Sequence, residues 1–371
     1  MPCKTIGIIG GGQLGRMMCL AAKAMGYRVA VLDPTPGCPC AQVADVEITA
    51  GYGDMGAIAR LAEASDVVTY EFENIDAEAL AFLEKRAYLP QGTVALRTSQ
   101  HRVREKTAIR DMGIPVPDFA PIADAEDLAR KAFYPSVLKT ATGGYDGKGQ
   151  VVLETSGDLE AAARALAAGE CILEKRVPFD MEISVTVARS VAGETSVFPV
   201  AENVHVGGIL HTTVAPARIP AGLEARAVDA ALEIARGLGS VGVLAVEMFV
   251  VGGEIYVNEI APRPHNSGHY SMDACATGQF EQHVRAVCGL PLGDARQLAP
   301  AVMVNILGEH MDSNDMGNLA PYLPLLRGGK LHLYGKAEAK KGRKMGHVTM
   351  LGDVEESLRA IGATGIWGAR G

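Results

Sequence analysis

The chain has 371 residues, enough for two or three domains at roughly 150 residues each, and 48% of them are hydrophobic. Its 35 basic and 43 acidic residues leave a net charge of −8, which argues against a global polyanion-binding surface and so against nucleic acid as a partner. The 43 glycines follow no G-X-Y period, so collagen and disorder are both excluded, and they exceed the roughly 26 that average usage would supply.

Residues 5–9 read as an apolar strand ending in glycines. A helical pattern follows, with Leu14, Met17, Met18, Ala21 and Met25 on one face, and it stops at Gly26. Strands at 28–32, 46–49 and 66–70 and a helix over 54–64 continue an alternation that predicts a parallel sheet covered on both faces. Thr98 and Ser99 are placed to cap a helix that ends at Gly113. Residues 118–178 read as a small α+β lid, and 181–260 as β-rich around one helix at 223–237. From 299 onward the chain is again strand-like, with a closing helix near 353–361. The expected units are a Rossmann-like α/β domain over 1–97, an α+β domain over 98–295 and a β-rich domain over 296–371.

No run of 18 apolar residues occurs, so no membrane span or membrane partner is expected, and the N-terminus has no signal-peptide pattern. The cysteines at 3, 19, 38, 40, 171, 275 and 288 form no C-x-x-C pair, which fits reduced thiols and a cytoplasmic protein.

Nine of the glycines fall in two windows, 7–15 and 143–149. Gly10-Gly11-Gly12-Gln13-Leu14-Gly15 satisfies G-x-G-x-x-G between a strand and a helix, and Asp33 ends the next strand, where a ribose-binding carboxylate would sit. Three readings stay open there: a dinucleotide site, a site for a small phosphorylated substrate, and a tight turn without ligand. The second window follows Lys139 at a strand end and runs Gly143-Gly144-Tyr145-Asp146-Gly147-Lys148-Gly149. A strand lysine before a glycine flap suits a nucleoside triphosphate, although the Walker A pattern is absent.

Strands 243–251 and 254–260 join at Gly252-Gly253 as a hairpin. A two-residue turn would pair Glu247 with Asn258, whereas one extra turn residue pairs it with Glu259 and puts both carboxylates on one face. Such a pair in an apolar sheet calls for Mg²⁺. The loop Arg263-Pro264-His265-Asn266-Ser267 offers donors for a phosphomonoester. Lys336 with the basic run from Lys340 to Lys344 reads by itself as a solvated turn or a nucleic-acid patch, but as a local positive excess in an acidic chain it favours a pocket for a small anion.

Assembled, these motifs resemble the ATP-grasp superfamily, and within it the family of N5-carboxyaminoimidazole ribonucleotide synthetases. The segment Gly143–Gln150 and the loop Ala261–His269 carry the resemblance most specifically, and it extends over essentially the whole chain. It implies an ATP-grasp fold, α/β and α+β, with an N-terminal Rossmann-like pre-ATP-grasp domain and a small C-terminal β-rich domain. It implies an ADP-forming carbon–nitrogen ligase of purine biosynthesis that joins bicarbonate to 5-aminoimidazole ribonucleotide through carboxyphosphate, with Mg²⁺, as a homodimer. By the same resemblance ATP falls to Arg102, Lys139, Gly144, Tyr145, Asp146, Gly147, Lys148, Gly149, Gln150, Glu174, Lys175, Arg176, Val177, Glu182, His205, Asn258 and Glu259. Magnesium falls to Glu247 and Glu259. The ribonucleotide falls to Gln13, Leu14, Glu73, Tyr145, Arg263, His265, Asn266, Ser267, Lys336 and Arg343, with Asp146, Lys336 and Arg343 as catalytic groups. Lys148 stands where the family often carries arginine. The nearest competitor is the formate-dependent glycinamide ribonucleotide transformylase, which the Tyr145-Asp146 pair disfavours. A dehydrogenase leaves Lys139 and the Glu247/Glu259 pair unexplained, and a non-enzymatic nucleotide sensor leaves the substrate groups unexplained.

Overall fold

The computed structural model of the chain describes residues 4–143, 149–165, 169–311 and 316–366. Strands β1 (Thr5–Ile9), β2 (Arg28–Asp33), β3 (Val46–Thr49) and β4 (Val67–Tyr70) form one parallel sheet in the order β3-β2-β1-β4. Alternate side chains sort to its two faces. Ile6, Ile8, Val29 and Val31 meet Met17 and Met18 of the helix Gln13–Ala24 and Phe280 and Val284 of the helix Gln279–Val287. Ile9, Ala30, Leu32 and Val68 meet Ile58, Leu61, Leu80 and Leu83 from the helices Met55–Glu63 and Ala77–Arg86. Burial on both faces explains why β2 and β4 are continuous apolar runs without alternation.

The lid is an antiparallel sheet of β5 (Phe119–Ile122), β6 (Ser136–Thr140), β7 (Gln150–Leu153) and β8 (Cys171–Lys175), ordered β5-β8-β6-β7. Ile122, Leu138, Leu153 and Leu173 turn to Leu128 and Ala162 of the covering helices. Val137, Lys139, Val152 and Glu174 alternate with them and line a cavity instead.

Among the described residues the third sheet has nine strands: β9 (Met181–Arg189), β10 (Thr195–Val197), β11 (Ala201–Val206), β12 (Ile209–Ala215), β13 (Gly242–Val251), β14 (Glu254–Ala261), β15 (Ala301–Leu307), β16 (Gly329–Leu333) and β17 (Lys344–Leu351). Its order is β14-β13-β9-β11-β12-β15-β17-β16, with β10 on β9. The C-terminal strands therefore continue the central sheet through β12 and β15 and form no sheet of their own. The helix Ala221–Gly237 buries Leu223, Ala227, Ala231, Ile234 and Ala235 in the same core as Val185, Val187, Leu244 and Val246.

Thr98 and Ser99 do not cap the helix Arg102–Asp111, whose first residue is preceded by His101 without a side-chain cap. They close the short helix Val94–Ser99, with hydroxyls that donate back to the carbonyls of Val94 and Leu96. Among the described residues no helix is long and apolar enough to cross a membrane.

Candidate active site

All three sheets open onto one cavity of about 1510 Å³. The parallel sheet contributes Gln13, Leu14 and Glu73, and the lid contributes Lys139, Gln150 and Glu174 to Val177. The central sheet adds Glu182, His205, Glu247, Asn258 and Glu259, the loop after β14 adds Arg263, His265 and Asn266, and the β16–β17 connection adds Lys336 and Arg343. Arg102 enters from the helix between the first unit and the lid. Gly144, Tyr145, Asp146, Gly147 and Lys148 lie outside the described residues. Gly149 and Ser267 do not reach the cavity wall. Ser267 is fully buried, with its hydroxyl 2.9 Å from His265 Nδ1, so it orients that ring and is not itself open to a ligand. Gly149 closes the lid ladder, where its carbonyl accepts from the Thr140 N–H.

The carboxylate pair comes from the β13–β14 hairpin. Gly252 and Gly253 have φ of +56° and +86°, the two left-handed residues that a tight two-residue turn of matching twist requires. Val251 pairs with Glu254 and Met248 with Val257, but Glu247 pairs with Glu259. The offset arises from a β-bulge at Asn258 and owes nothing to an extra turn residue. The turn-based expectation reached Glu259 by the wrong route.

Burial and the neighbouring Glu259 push the Glu247 carboxyl up to about 7. Glu259 is also raised by burial, but Arg102 and Lys139 outweigh that and hold it below the usual range. Arg102 Nη1 lies 3.3 Å from Glu259 Oε2. Glu247 Oε1 and Asn258 Oδ1 are buried oxygens without a hydrogen-bond partner, although the neutral His265 ring places its Nδ1 3.5 Å from the Glu247 oxygen. Hard oxygens of this kind, beside the ionised Glu259, are a donor set that fits Mg²⁺. A cluster of Asp273, His332 and His347 elsewhere is the other candidate among the described residues. There Asp273 is already engaged by His332 at 2.8 Å and Lys330 at 3.4 Å.

The lid lysine Lys139 pairs with Glu174 at 2.9 Å, and Lys106 approaches the same oxygen at 3.7 Å. Burial raises Glu174, but the two lysines prevail and bring it down to about 2. Glu182 Oε2 lies 2.6 Å from His205 Nδ1. Phe179 and Phe249 stack at 4.8 Å with planes 7° apart and give the cavity a flat apolar wall beside Val177.

On the opposite side Arg263 Nη2 sits 2.8 Å from Glu73 Oε1, and Lys336 Nζ donates to Gln13 Oε1 at 2.7 Å. Asn266 exchanges amide hydrogen bonds with Asn305. Burial, with Arg263 and Lys344 nearby, lowers His265 well below its ordinary pKa, so this imidazole is neutral. An anion on this side depends on Arg263, Lys336 and Arg343 for its countercharge.

Residues 3–100 match the ribonucleotide synthetase preATP-grasp domain, 107–280 the ATP-grasp domain and 301–361 the phosphoribosylaminoimidazole carboxylase C-terminal domain. The N5-carboxyaminoimidazole ribonucleotide synthase of Bacillus subtilis (strain 168) is 53% identical over 360 residues, which are 96% of this chain and 93% of that one. The chain belongs to the N5-carboxyaminoimidazole ribonucleotide synthase family. The solved ADP complex of a family synthetase superposes with a TM-score of 0.94 at 58% identity, covering 98% of this chain and 97% of the other. The Aspergillus clavatus family member, solved with ADP and 5-aminoimidazole ribonucleotide, superposes at 0.90 with 31% identity over 97% of each chain.

For a member of this family the G-x-G-x-x-G loop needs its own account, because no dinucleotide phosphate has room there. Glu71 accepts the N–H groups of Gly12 and Gly15, the latter at 2.5 Å, and Asp33 accepts that of Gly11 at 2.7 Å. Asp33 is further bound by the Thr35 N–H and the Tyr52 hydroxyl, so it is not a free ribose ligand. A Cβ on Gly12 would meet Glu71 Oε1 at 2.7 Å, and one on Gly11 would meet Cys38 Sγ at 2.1 Å. The glycines make room for an internal carboxylate and thiol. Gly12, Gln13 and Leu14 remain at the cavity, and of these the Gln13 and Leu14 amides have no partner within the helix.

Sequence reasoning missed Glu71, Glu105, Lys106 and the Phe179/Phe249 pair. Glu71 carried no local signal, since its partners lie 56 and 59 residues away. Glu105 and Lys106 did carry one, being spaced with Arg102 as i, i+3 and i+4 on a predicted helix.

Proposed function

We propose that this chain carboxylates 5-aminoimidazole ribonucleotide with bicarbonate at the expense of ATP, giving N5-carboxyaminoimidazole ribonucleotide, ADP and phosphate in purine biosynthesis. The observation that carries the reading is the convergence on one cavity of a lid lysine, a cation-demanding carboxylate pair and a basic wall. Family membership at 53% identity agrees with it. The ATP-grasp unit over 98–295 holds the nucleotide, while 1–97 and 296–371 enclose the second substrate.

Adenine lies along Glu174 to Val177 beside the Phe179 wall, Glu182 with His205 takes the ribose, and Arg102 and Lys139 take the phosphates. Glu247, Glu259 and Asn258 hold Mg²⁺, which when bound neutralises phosphate-oxygen charge. A bicarbonate oxygen attacks the γ-phosphorus, the bond to ADP breaks, and carboxyphosphate forms. Its breakdown yields phosphate and CO₂, and the amine nitrogen of the ribonucleotide attacks that carbon and loses a proton. The cationic side chains stabilise the anionic transition states at fixed positions, and the lid excludes water from the released CO₂. Asp146 receives the amine proton, while Arg263, Lys336 and Arg343 hold the ribonucleotide phosphate beside Gln13 and Leu14. The protein works in the cytoplasm as a homodimer on these small molecules, without nucleic acid or membrane.

Purified protein is expected to release phosphate from ATP only when 5-aminoimidazole ribonucleotide and bicarbonate are both present. Release that instead requires formate and glycinamide ribonucleotide would overturn the assignment.

A further inference from the structure

Strand β14 is an edge strand, so the backbone groups it does not share with β13 face outward. In a regular strand such groups recur every second residue. Here the outward N–H groups fall at Val257 and Ile260, three apart, and the Asn258 carbonyl faces the same edge between them, because Asn258 is the extra residue of the bulge. The helix Arg102–Asp111 covers this edge and matches the irregular spacing. Lys106 Nζ donates to the Val257 carbonyl at 3.1 Å and to the Asn258 carbonyl. Glu105 Oε1 accepts the Ile260 N–H at 2.8 Å, and the Val257 N–H donates to the Pro115 carbonyl at 2.8 Å. Glu105 is 3% exposed and Lys106 1% exposed, so neither side chain has water as a substitute partner.

A regular β14 would present the groups of residues 257 and 259 at this edge. Glu105 would lose its amide and Lys106 one of its carbonyls, and buried polar groups left unpaired are costly. The same slip would put Asn258 opposite Glu247 and turn Glu259 to the other face.

We propose that Glu105 and Lys106 are positioning residues for the cation: they select the bulged register of β14 and thereby set Glu259 opposite Glu247. The inference rests on the reading of Glu247 and Glu259 as the cation pair. The Lys106 ammonium also approaches Glu174 of the lid, so the group that holds the bulge touches the nucleotide side of the cavity as well.

The test uses the full chain with three variants, Lys106→Met, Glu105→Ala and Glu105→Gln. Mn²⁺ binding to the ADP-loaded protein is followed by electron paramagnetic resonance, and amide exchange of residues 255–261 is measured without metal. Lys106→Met and Glu105→Ala should weaken Mn²⁺ binding by about tenfold or more and speed exchange in that segment, and in Glu105→Ala, which leaves the Glu174 pair intact, metal-free ADP affinity stays near wild type. Glu105→Gln keeps an acceptor oxygen and should restore most of the loss. A folded Lys106→Met protein with wild-type Mn²⁺ affinity and wild-type exchange overturns the proposal. Should that variant not fold, equal Mn²⁺ affinities in Glu105→Ala and Glu105→Gln overturn it instead. Wild-type protein that binds no Mn²⁺ with ADP removes the cation reading and this inference together. Failure of the carboxylation assay alone leaves these binding and exchange measurements unaffected and counts only against the proposed reaction.

Discussion

Replacing Glu71 by glutamine tests whether the glycine-rich loop is organised around an internal carboxylate. Glu71 is 8% exposed and accepts two backbone N–H groups, from Gly12 and Gly15. Glutamine keeps the shape and one acceptor oxygen but sets its NH₂ against the second amide. The loss of one charge-assisted hydrogen bond, with a buried donor left unpaired, costs about 1.5–3 kcal/mol. Burial raises the Glu71 pKa against the pull of those two amides and Arg263, so relief of carboxylate desolvation offsets part of this cost. A net destabilisation of about 1–2 kcal/mol is expected from these terms, seen as a fall of about 1–3 °C in the melting midpoint of a chain this long. The loop also presents Gln13 and Leu14, so KM for the ribonucleotide should rise severalfold while KM for ATP stays put. Calorimetric melting and steady-state kinetics with each substrate varied in turn read both effects. A Glu71→Gln protein with an unchanged melting midpoint and an unchanged ribonucleotide KM would refute the reasoning.

Glu247 sits near 7, so below that pH a cation must displace its proton. Apparent Mg²⁺ affinity in the ADP complex should be about tenfold weaker at pH 6 than at pH 8, with a proton release on binding at pH 6 that calorimetry in two buffers detects and that Glu247→Gln abolishes. Glu174 sits near 2, below its unfolded value of 4.5. Its contribution, on the order of 3 kcal/mol, is therefore present above about pH 4.5 and lost as pH falls toward 2. Urea unfolding should show wild type and Glu174→Gln converging in stability over that range, and a constant gap from pH 7 to pH 3 would contradict it. Lys336→Met removes the ammonium that binds Gln13 and should raise ribonucleotide KM at least tenfold without changing ATP KM, because the proposed nucleotide site is built from other residues of the cavity.

Those parts of the molecule that depend on local pattern were legible in the chain. The parallel unit follows from apolar runs at strand length with helices of regular period between them, and Gly252-Gly253 marks the β13–β14 hairpin of the central sheet by conformation alone. Parity was not legible, because one bulged residue reverses which side chain faces which. The Glu247 partner therefore depended on Asn258, whose displacement is fixed by Glu105 and Lys106 more than 150 residues earlier. Continuity of the sheet through β15 was equally hidden, since antiparallel strands 85 or more residues apart carry no mark of whom they will pair with. Ser267 looked like a phosphate donor by residue type, and its full burial behind His265 is decided by packing that the loop sequence does not contain.

The glycine loop makes the same point in chemical terms. A G-x-G-x-x-G segment specifies only that backbone amides converge and that side chains are absent, and any anion of suitable size satisfies it. In this chain the anion is covalently supplied by Glu71, held at the end of β4 by the neighbouring strand β1, to whose Ile9 carbonyl its own N–H donates at 3.0 Å. The loop is thereby closed to a dinucleotide and turned into a rigid mount for Gln13, whose side chain receives Lys336 across a separation of 323 residues. Gln42 accepts a hydrogen bond from Arg16 and donates to the carbonyl of Gly335, so the first unit holds the residues on both sides of that contact. A motif that reads as a ligand site thus acts as the part that joins the first and last strands of the chain around one cavity, and ligand recognition passes to the side chains it supports.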